Sequence, residues 1–253
     1  MSIYKKTRLD RLLVETGLAE TRSRAADLIR RGQVSVAGKP QTKPGALVTA
    51  DAELAVSPEA CAYGSRGGLK LAAALDAFGF DPEGRIALDV GASTGGFTEV
   101  LIARGAAKVY AVDVGRGQLH AKLSVNAKVI ALEGTDARKL DRSMMGEPVT
   151  ALVADVSFIS LTLALPAALR LAAPGAWLVA LIKPQFEAGR AAVGKGGIVR
   201  SETDRKKAVE KVRAFLQDAG WMVAGVIGSP ILGGSGNEEF LIGALLEQGG
   251  DDR

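Results

Sequence analysis

The chain has 253 residues, 47% of them hydrophobic, and a formal net charge of +4. That length accommodates one or two domains with a substantial core. A single cysteine, Cys61, excludes an internal disulfide or a cysteine-built metal site, and a single histidine, His120, leaves little basis for a Ser-His-Asp triad.

Near the N-terminus, residues 8–14 place Leu9, Leu12 and Leu13 on one face, which predicts a short helix ended by Gly17. Thr21 suits the N-cap of a second helix through Arg31, with Ala25, Leu28 and Ile29 turned inward and Gly32 as its stop. Strand-like alternation follows at Val34–Val36, then a turn at Ala37-Gly38-Lys39-Pro40 and short strands near residues 46–48 and 53–56. Arg22, Arg24, Arg30 and Arg31 surround the apolar stripe of the second helix. Residues 1–60 hold ten Lys/Arg against seven Asp/Glu, whereas the remainder holds 22 against 21. A basic module ahead of a nearly neutral body suits a polyanionic partner. The basic helix, glycine stop, short strand and Gly38-Lys39 turn resemble an S4 RNA-binding domain. The resemblance implies that residues 1–60 bind RNA, with Arg8, Arg22, Arg24, Arg30, Arg31 and Lys39 as candidate backbone contacts.

Residues 61–67 are expected to be a linker, and Ser65-Arg66-Gly67-Gly68 opens a helix that carries Lys70. Next comes Leu88-Asp89-Val90-Gly91-Ala92-Ser93-Thr94-Gly95-Gly96-Phe97, an apolar strand, a glycine-rich turn and the start of a helix. Strand, glycine turn and helix form the opening unit of a nucleotide-binding α/β domain. The spacing of Gly91, Gly95 and Gly96 departs from the dinucleotide pattern. Asp89 stands just before the first glycine, and Asp113 ends a second apolar run where such folds place an acid on ribose hydroxyls. Two acids without a basic phosphate ligand favour S-adenosylmethionine over a dinucleotide; a glycine turn without any ligand is the plain alternative. The candidate cofactor residues are Asp89, Gly91, Ser93, Gly95, Gly96, Phe97, Asp113, Asp136 and Asp155. Asp136 is placed either for an adenine amino group or as a helix N-cap.

Strands are predicted at residues 86–90, 108–112, 129–132, 149–154, 177–182, 222–227 and 240–245, mostly with helices between them. The pattern predicts an α/β fold, a doubly wound Rossmann-like sheet of seven strands over residues 68–253 with an antiparallel end. Between Phe158 and Ile182 the only charge is Arg170, but Pro166 and Pro174-Gly175 interrupt the run. It divides into a helix ending near Ala173 and a buried strand from Trp177, so no membrane span is expected. Residues 1–11 lack an apolar signal-peptide core, and the expected location is cytoplasmic. Gly189–Gly196 approximates a phosphate-binding loop, yet no hydroxyl follows Lys195 and no helix begins before Ser201; nucleotide hydrolysis is not expected.

Asp155 and Lys183 each follow a buried run directly, and a charge in that position needs a partner. With Lys70 and Glu239 they give the order Lys-Asp-Lys-Glu, which resembles the tetrad of FtsJ/RrmJ-type ribose 2′-O-methyltransferases. With the S4-like segment ahead, the whole chain resembles the TlyA family of rRNA cytidine 2′-O-methyltransferases, also labelled hemolysins. The resemblance rests on residues 63–71, 89–98, 155–160, 182–187 and 236–240, and it adds Arg66 to the candidate RNA contacts. It implies that Lys70, Asp155, Lys183 and Glu239 carry catalysis without a metal, on ribosomal RNA or a ribosomal subunit. Glu238 is the rival for the last acid; Glu239 is preferred because it stands beside Phe240. Lys183 is either the base that takes the 2′-hydroxyl proton or a charge that stabilises the developing alkoxide. An RNA-binding or assembly factor without methyl transfer, and a membrane-active hemolysin, are the alternative functions.

Overall fold

The structure, a computed structural model, describes residues 6–19, 21–30, 32–57, 65–233 and 236–247, apart from the side chains of Ser23, Arg24, Asp27 and Arg66. The chain divides into two units, Met1–Tyr63 and Gly64–Arg253. Of the expected linker, residues 61–64 lie outside the described residues, and Arg66 and Gly67 are already helical.

The first unit runs β1 (Lys6–Arg8), α1 (Leu9–Glu15), α2 (Arg22–Arg30), β2 (Val34–Val36), β3 (Lys39–Gln41), β4 (Leu47–Thr49) and β5 (Leu54–Val56). β1 pairs antiparallel with β4, and β2 lies between β3 and β5. The core is the one the helical spacing selects: Leu9, Leu13, Ala25, Leu28 and Ile29, closed by Val34. Each fully buried leucine or isoleucine there contributes about 1.5–3 kcal/mol. β1 was not expected, because Lys6-Thr7-Arg8 has no apolar alternation.

The β2–β3 hairpin closes on two residues that both have positive φ, Ala37 at 49° and Gly38 at 74°. That is the geometry of a type I′ turn, in which Asn-Gly is strongly favoured and alanine is strained. Ala37→Asn is therefore expected to stabilise the hairpin by about 0.5–1 kcal/mol, read in the full chain as about 2–5-fold slower hydrogen exchange of the β2–β3 amides. Unchanged exchange would show that the turn carries no strain.

The second unit runs α3 (Arg66–Phe78), β6 (Ile86–Val90), α4 (Gly96–Ala103), β7 (Lys108–Asp113), α5 (Ala121–Ser124), β8 (Val129–Glu133), β9 (Val149–Ala154), α6 (Leu161–Ala164), α7 (Pro166–Leu169), β10 (Ala172–Ile182), α8 (Pro184–Glu187), α9 (Glu202–Asp218), β11 (Trp221–Gly228) and β12 (Phe240–Leu246). Its seven strands lie in the order β11-β12-β10-β9-β6-β7-β8. β12 is antiparallel to both neighbours, and the other pairs are parallel. The central strands read as continuous apolar runs because helices cover both faces. Leu161, Leu165, Val212 and Leu216 pack with Leu88, Leu152, Leu178 and Ile242 in one core.

One expected boundary is corrected. The segment before Trp177 is not one helix ending near Ala173. Pro166 stands at the first position of α7 and separates it from α6, and β10 already begins at Ala172. The register shifts between Ala172 and Trp177. Pro174 cannot donate to the sheet, so an irregularity at the start of the strand absorbs it.

Candidate active site

Three charged residues leave the sheet at neighbouring strand ends. Asp155 follows β9, Lys183 follows β10, and Glu239 precedes β12, one residue beyond the Ile182–Phe240 pair. Lys70 comes from α3, a full turn inside the helix. Its Nζ lies 2.6 Å from Glu239 Oε2, and both side chains are buried. Glu238 instead is exposed and pairs with Arg205. Lys183 Nζ donates to Ser157 Oγ at 2.8 Å and sits 2.6 Å from Asp155 Oδ1. The Asp155 contact is an ion pair, and the directed hydrogen bond of Lys183 goes to Ser157. Sequence explains how Lys183 is aimed: the residue before a proline is driven extended, and Lys183 has φ −109° and ψ 101° ahead of Pro184, the first residue of α8.

Beside Asp155 opens a cavity of about 510 Å³, within the usual range for a small-molecule site. Gly91, Ser93, Asp113, Asp136 and Asp155 line it. Gly91 has φ +85°, and a Cβ there would stand 2.6 Å from the Asp155 carbonyl oxygen, so only glycine permits this approach of β6 to β9. Asp113 accepts from the Ser93 amide at 2.8 Å and the Gly115 amide at 2.7 Å. Asp136 caps the turn at residues 137–139 and pairs with Arg138, whose guanidinium holds its carboxyl down at about 2.

Four expected cofactor residues do not line the cavity. Gly95 caps α4, Phe97 is core, and Gly96 is where the start of α3 packs, since a Cβ would collide with Ser65. Asp89 is fully buried in β6, with Oδ2 accepting from Thr98 Oγ1 at 2.6 Å and Oδ1 unpartnered.

Burial lifts the Asp89 carboxyl to about 7; the Thr98 hydrogen bond opposes that shift and the Asp155 charge adds to it. The unfolded chain releases this proton near pH 4 and the folded chain near 7. The stability it contributes is therefore complete below about pH 4 and is lost as pH rises towards 7. Asp89→Asn should gain in stability relative to the parent across that interval, measured by denaturant titration at pH 5 and 7.5. Parallel profiles would show that Asp89 is ionised in the folded chain.

Sequence reasoning missed several parts of the wall: Val114, Gln118, Thr135 and Phe158. It also missed Glu133, whose carboxylate accepts from the amides of Gly117, Gln118 and Leu119 and is pulled below its ordinary range, chiefly by the Gly117 bond. Phe158 has φ +66° and is 91% exposed. The glycine loop at residues 189–197 holds a single 3-10 turn, Arg190–Ala192, and the next α-helix is α9, capped by Ser201. Buried Asn237 holds it, donating to Gly197 O and accepting from Val199 N.

Residues 63–245 match the FtsJ-like methyltransferase family, and residues 7–54 match the S4 domain. The Mycobacterium tuberculosis 16S/23S rRNA (cytidine-2'-O)-methyltransferase TlyA is 46% identical over 94% of this chain and 89% of its own length. The chain belongs to the TlyA family of FtsJ-like methyltransferases. Another relative is Hemolysin A of Brachyspira hyodysenteriae, 39% identical over 92% of this chain and 98% of its own. A solved structure from Streptococcus thermophilus with a provisional hemolysin label superposes with a TM-score of 0.76, at 43% identity over 96% of this chain and 90% of that one. The hemolysin names thus run alongside the methyltransferase names within one fold. Among the described residues no helix is long and apolar enough to cross a membrane.

In the S4 unit, Asp10 is buried and pairs with both Arg8 (2.8 Å) and Arg22 (3.1 Å). The Arg8 guanidinium holds its carboxyl down at about 2. Two of the expected RNA contacts are thereby fixed in position, yet each arginine side chain stays more than half exposed, 52% and 61%. Arg30 and Lys39 are exposed. Arg31 and the side chains of Arg24 and Arg66 lie outside the described residues.

Proposed function

We propose that this protein transfers a methyl group from S-adenosylmethionine to the 2′-oxygen of a cytidine in ribosomal RNA, with the S4 unit gripping the RNA backbone. The observation that carries this reading is the meeting of Lys183 with Asp155 and Ser157 at the cavity wall, beside the Lys70–Glu239 pair. The name of the Mycobacterium tuberculosis relative supplies the cytidine and the ribosomal RNA.

The cavity fits the cofactor. Three carboxylates, Asp113, Asp136 and Asp155, line the cavity, and the cations that meet them among the described residues are already paired, Arg138 with Asp136 and Lys183 with Asp155. That balance suits a cationic ligand without phosphates. When bound, S-adenosylmethionine supplies an electrophilic methyl group on a sulfonium. Asp113 has lone pairs beyond its two backbone bonds for ribose hydroxyls. Asp136 stands at the adjoining strand end for the base, and Asp155, already ion-paired with Lys183, would hold the positive end.

On the acceptor side, the 2′-hydroxyl must lose its proton as the oxygen attacks. Lys183 Nζ takes that proton or neutralises the charge left behind, with Asp155 and Ser157 fixing its direction. The exposed Phe158 ring offers a stacking face for an unpaired base, an interaction typically worth about 1–3 kcal/mol. The test is incubation of the full chain with methyl-labelled S-adenosylmethionine and each purified ribosomal subunit, followed by mapping of the labelled nucleotide. Label on a ribose 2′-oxygen is expected. Tight subunit binding without label would replace this reading with an RNA-binding or assembly role.

A further inference from the structure

Glu187 is buried, pairs with Lys211 at 3.1 Å and has no part in the chemistry above. It ends α8, the single turn that begins immediately after Lys183. The turn is closed by Phe186 N donating to Lys183 O at 2.9 Å and Ala188 N to Pro184 O at 2.9 Å. Lys183 and Glu187 therefore flank one rigid turn, and both reach the loop after β9. Lys183 Nζ holds Ser157 Oγ at 2.8 Å. Glu187 Oε2 accepts from Ser160 Oγ at 2.5 Å, and its Oε1 from the Leu161 amide at 2.7 Å. Lys211 of α9 closes the cluster, with Nζ 3.1 Å from both Glu187 Oε2 and Ser160 Oγ.

Phe158 lies between these two points of attachment. Its φ of +66° is uncommon for a bulky residue, and such a conformation persists only where the surroundings fix it. Its ring also rests against Phe186 of the same turn, with centroids 5.3 Å apart. The loop that walls the cavity is thus held at Ser157, at Phe158 and at Ser160–Leu161, all by α8 and the residue that precedes it.

We propose that Glu187 is a positioning residue for methyl transfer: with Lys211 it anchors the far end of the 156–160 loop, so that one helical turn sets both Lys183 and Phe158 against the acceptor. The proposal rests on the methyl-transfer reading. A buried carboxylate suits the task because it satisfies a hydroxyl, a backbone amide and an ammonium group at once. Gln in its place has one acceptor oxygen and must turn an NH2 towards a donor.

The test is a double-mutant cycle on the full chain. Glu187→Gln is expected to lower kcat on the ribosomal substrate by about 10-fold or more, the scale of a misplaced reacting group. Added to Phe158→Ala, it should cost less than about 2-fold further, because both changes act through the same loop. A second readout is independent of activity. In a Phe158→Trp background, Glu187→Gln should lower the anisotropy of the added indole. Should Glu187→Gln lose its cooperative melt, Ser160→Ala and Lys211→Met carry the same two measurements.

Losses that multiply, or kcat and anisotropy both unchanged, overturn the proposal. A parent protein that labels no RNA overturns the methyl-transfer reading instead, and the anchor is then judged on anisotropy alone.

Discussion

Lys183→Ala is expected to abolish methyl transfer to ribosomal RNA, by about 10²-fold or more, while S-adenosylmethionine affinity stays close to that of the parent. The side chain does not line the cavity itself; it touches Asp155 and Ser157, which do. Its removal strips the acceptor side and leaves Asp113, Asp136 and Gly91 on the donor side in place. Equilibrium binding of the cofactor and single-turnover transfer separate the two. Lys183→Arg then divides the chemistry, because arginine keeps the charge but does not give up its proton. Transfer within about 10-fold of the parent identifies charge stabilisation, and a loss equal to that of alanine identifies proton removal. Full activity in Lys183→Ala would end the assignment.

How much of this was legible in the sequence differs between the two sides of the site. Asp155 and Lys183 stand out because each charge follows an apolar run without a polar transition, and the structure supplies the buried partner that such a position requires. The succession of strands along the chain, the antiparallel last strand and the Ser201 cap follow from local pattern in the same way, whereas the order of the strands across the sheet does not. Lys70 is different. A lone lysine on an amphipathic helix reads as solvated, and only its resemblance to a known tetrad marks it. What buries it is Glu239, 169 residues further on, and no local period encodes that meeting. The cavity wall is equally silent. Phe158 has positive φ without being glycine, and Glu133, Glu187 and Asn237 act by satisfying backbone groups of distant loops. Gly95 and Gly96 carry a packing role that the pattern does not announce. Their spacing points to a ligand, and in the structure they also serve the close packing of α5 and of the start of α3.

The Lys70–Glu239 pair should respond to mutation in a way that separates chemistry from stability. Its side chains are 10% and 3% exposed, so both ions have lost nearly all their hydration. Glu239→Ala leaves the Lys70 ammonium buried without a counter-ion, expected to cost about 3–5 kcal/mol. In a unit of this size that lowers Tm by roughly 6–20 °C. Replacing both ions together, as Lys70→Met with Glu239→Leu, removes the unpaired charge, and such swaps are neutral or stabilising by about 1–4 kcal/mol. The double variant should therefore melt at or above the parent temperature. If the pair existed to hold α3 against β12, that variant would remain an active enzyme. On the mechanism proposed here it should bind cofactor, fold well and transfer no methyl group, because the acceptor side has lost one of its two lysines and the carboxylate that fixes it. Calorimetry and single-turnover transfer on the same three proteins decide the matter. A double variant that is both stable and active would assign the pair to packing and leave Lys183 with Asp155 as the whole of the catalytic machinery.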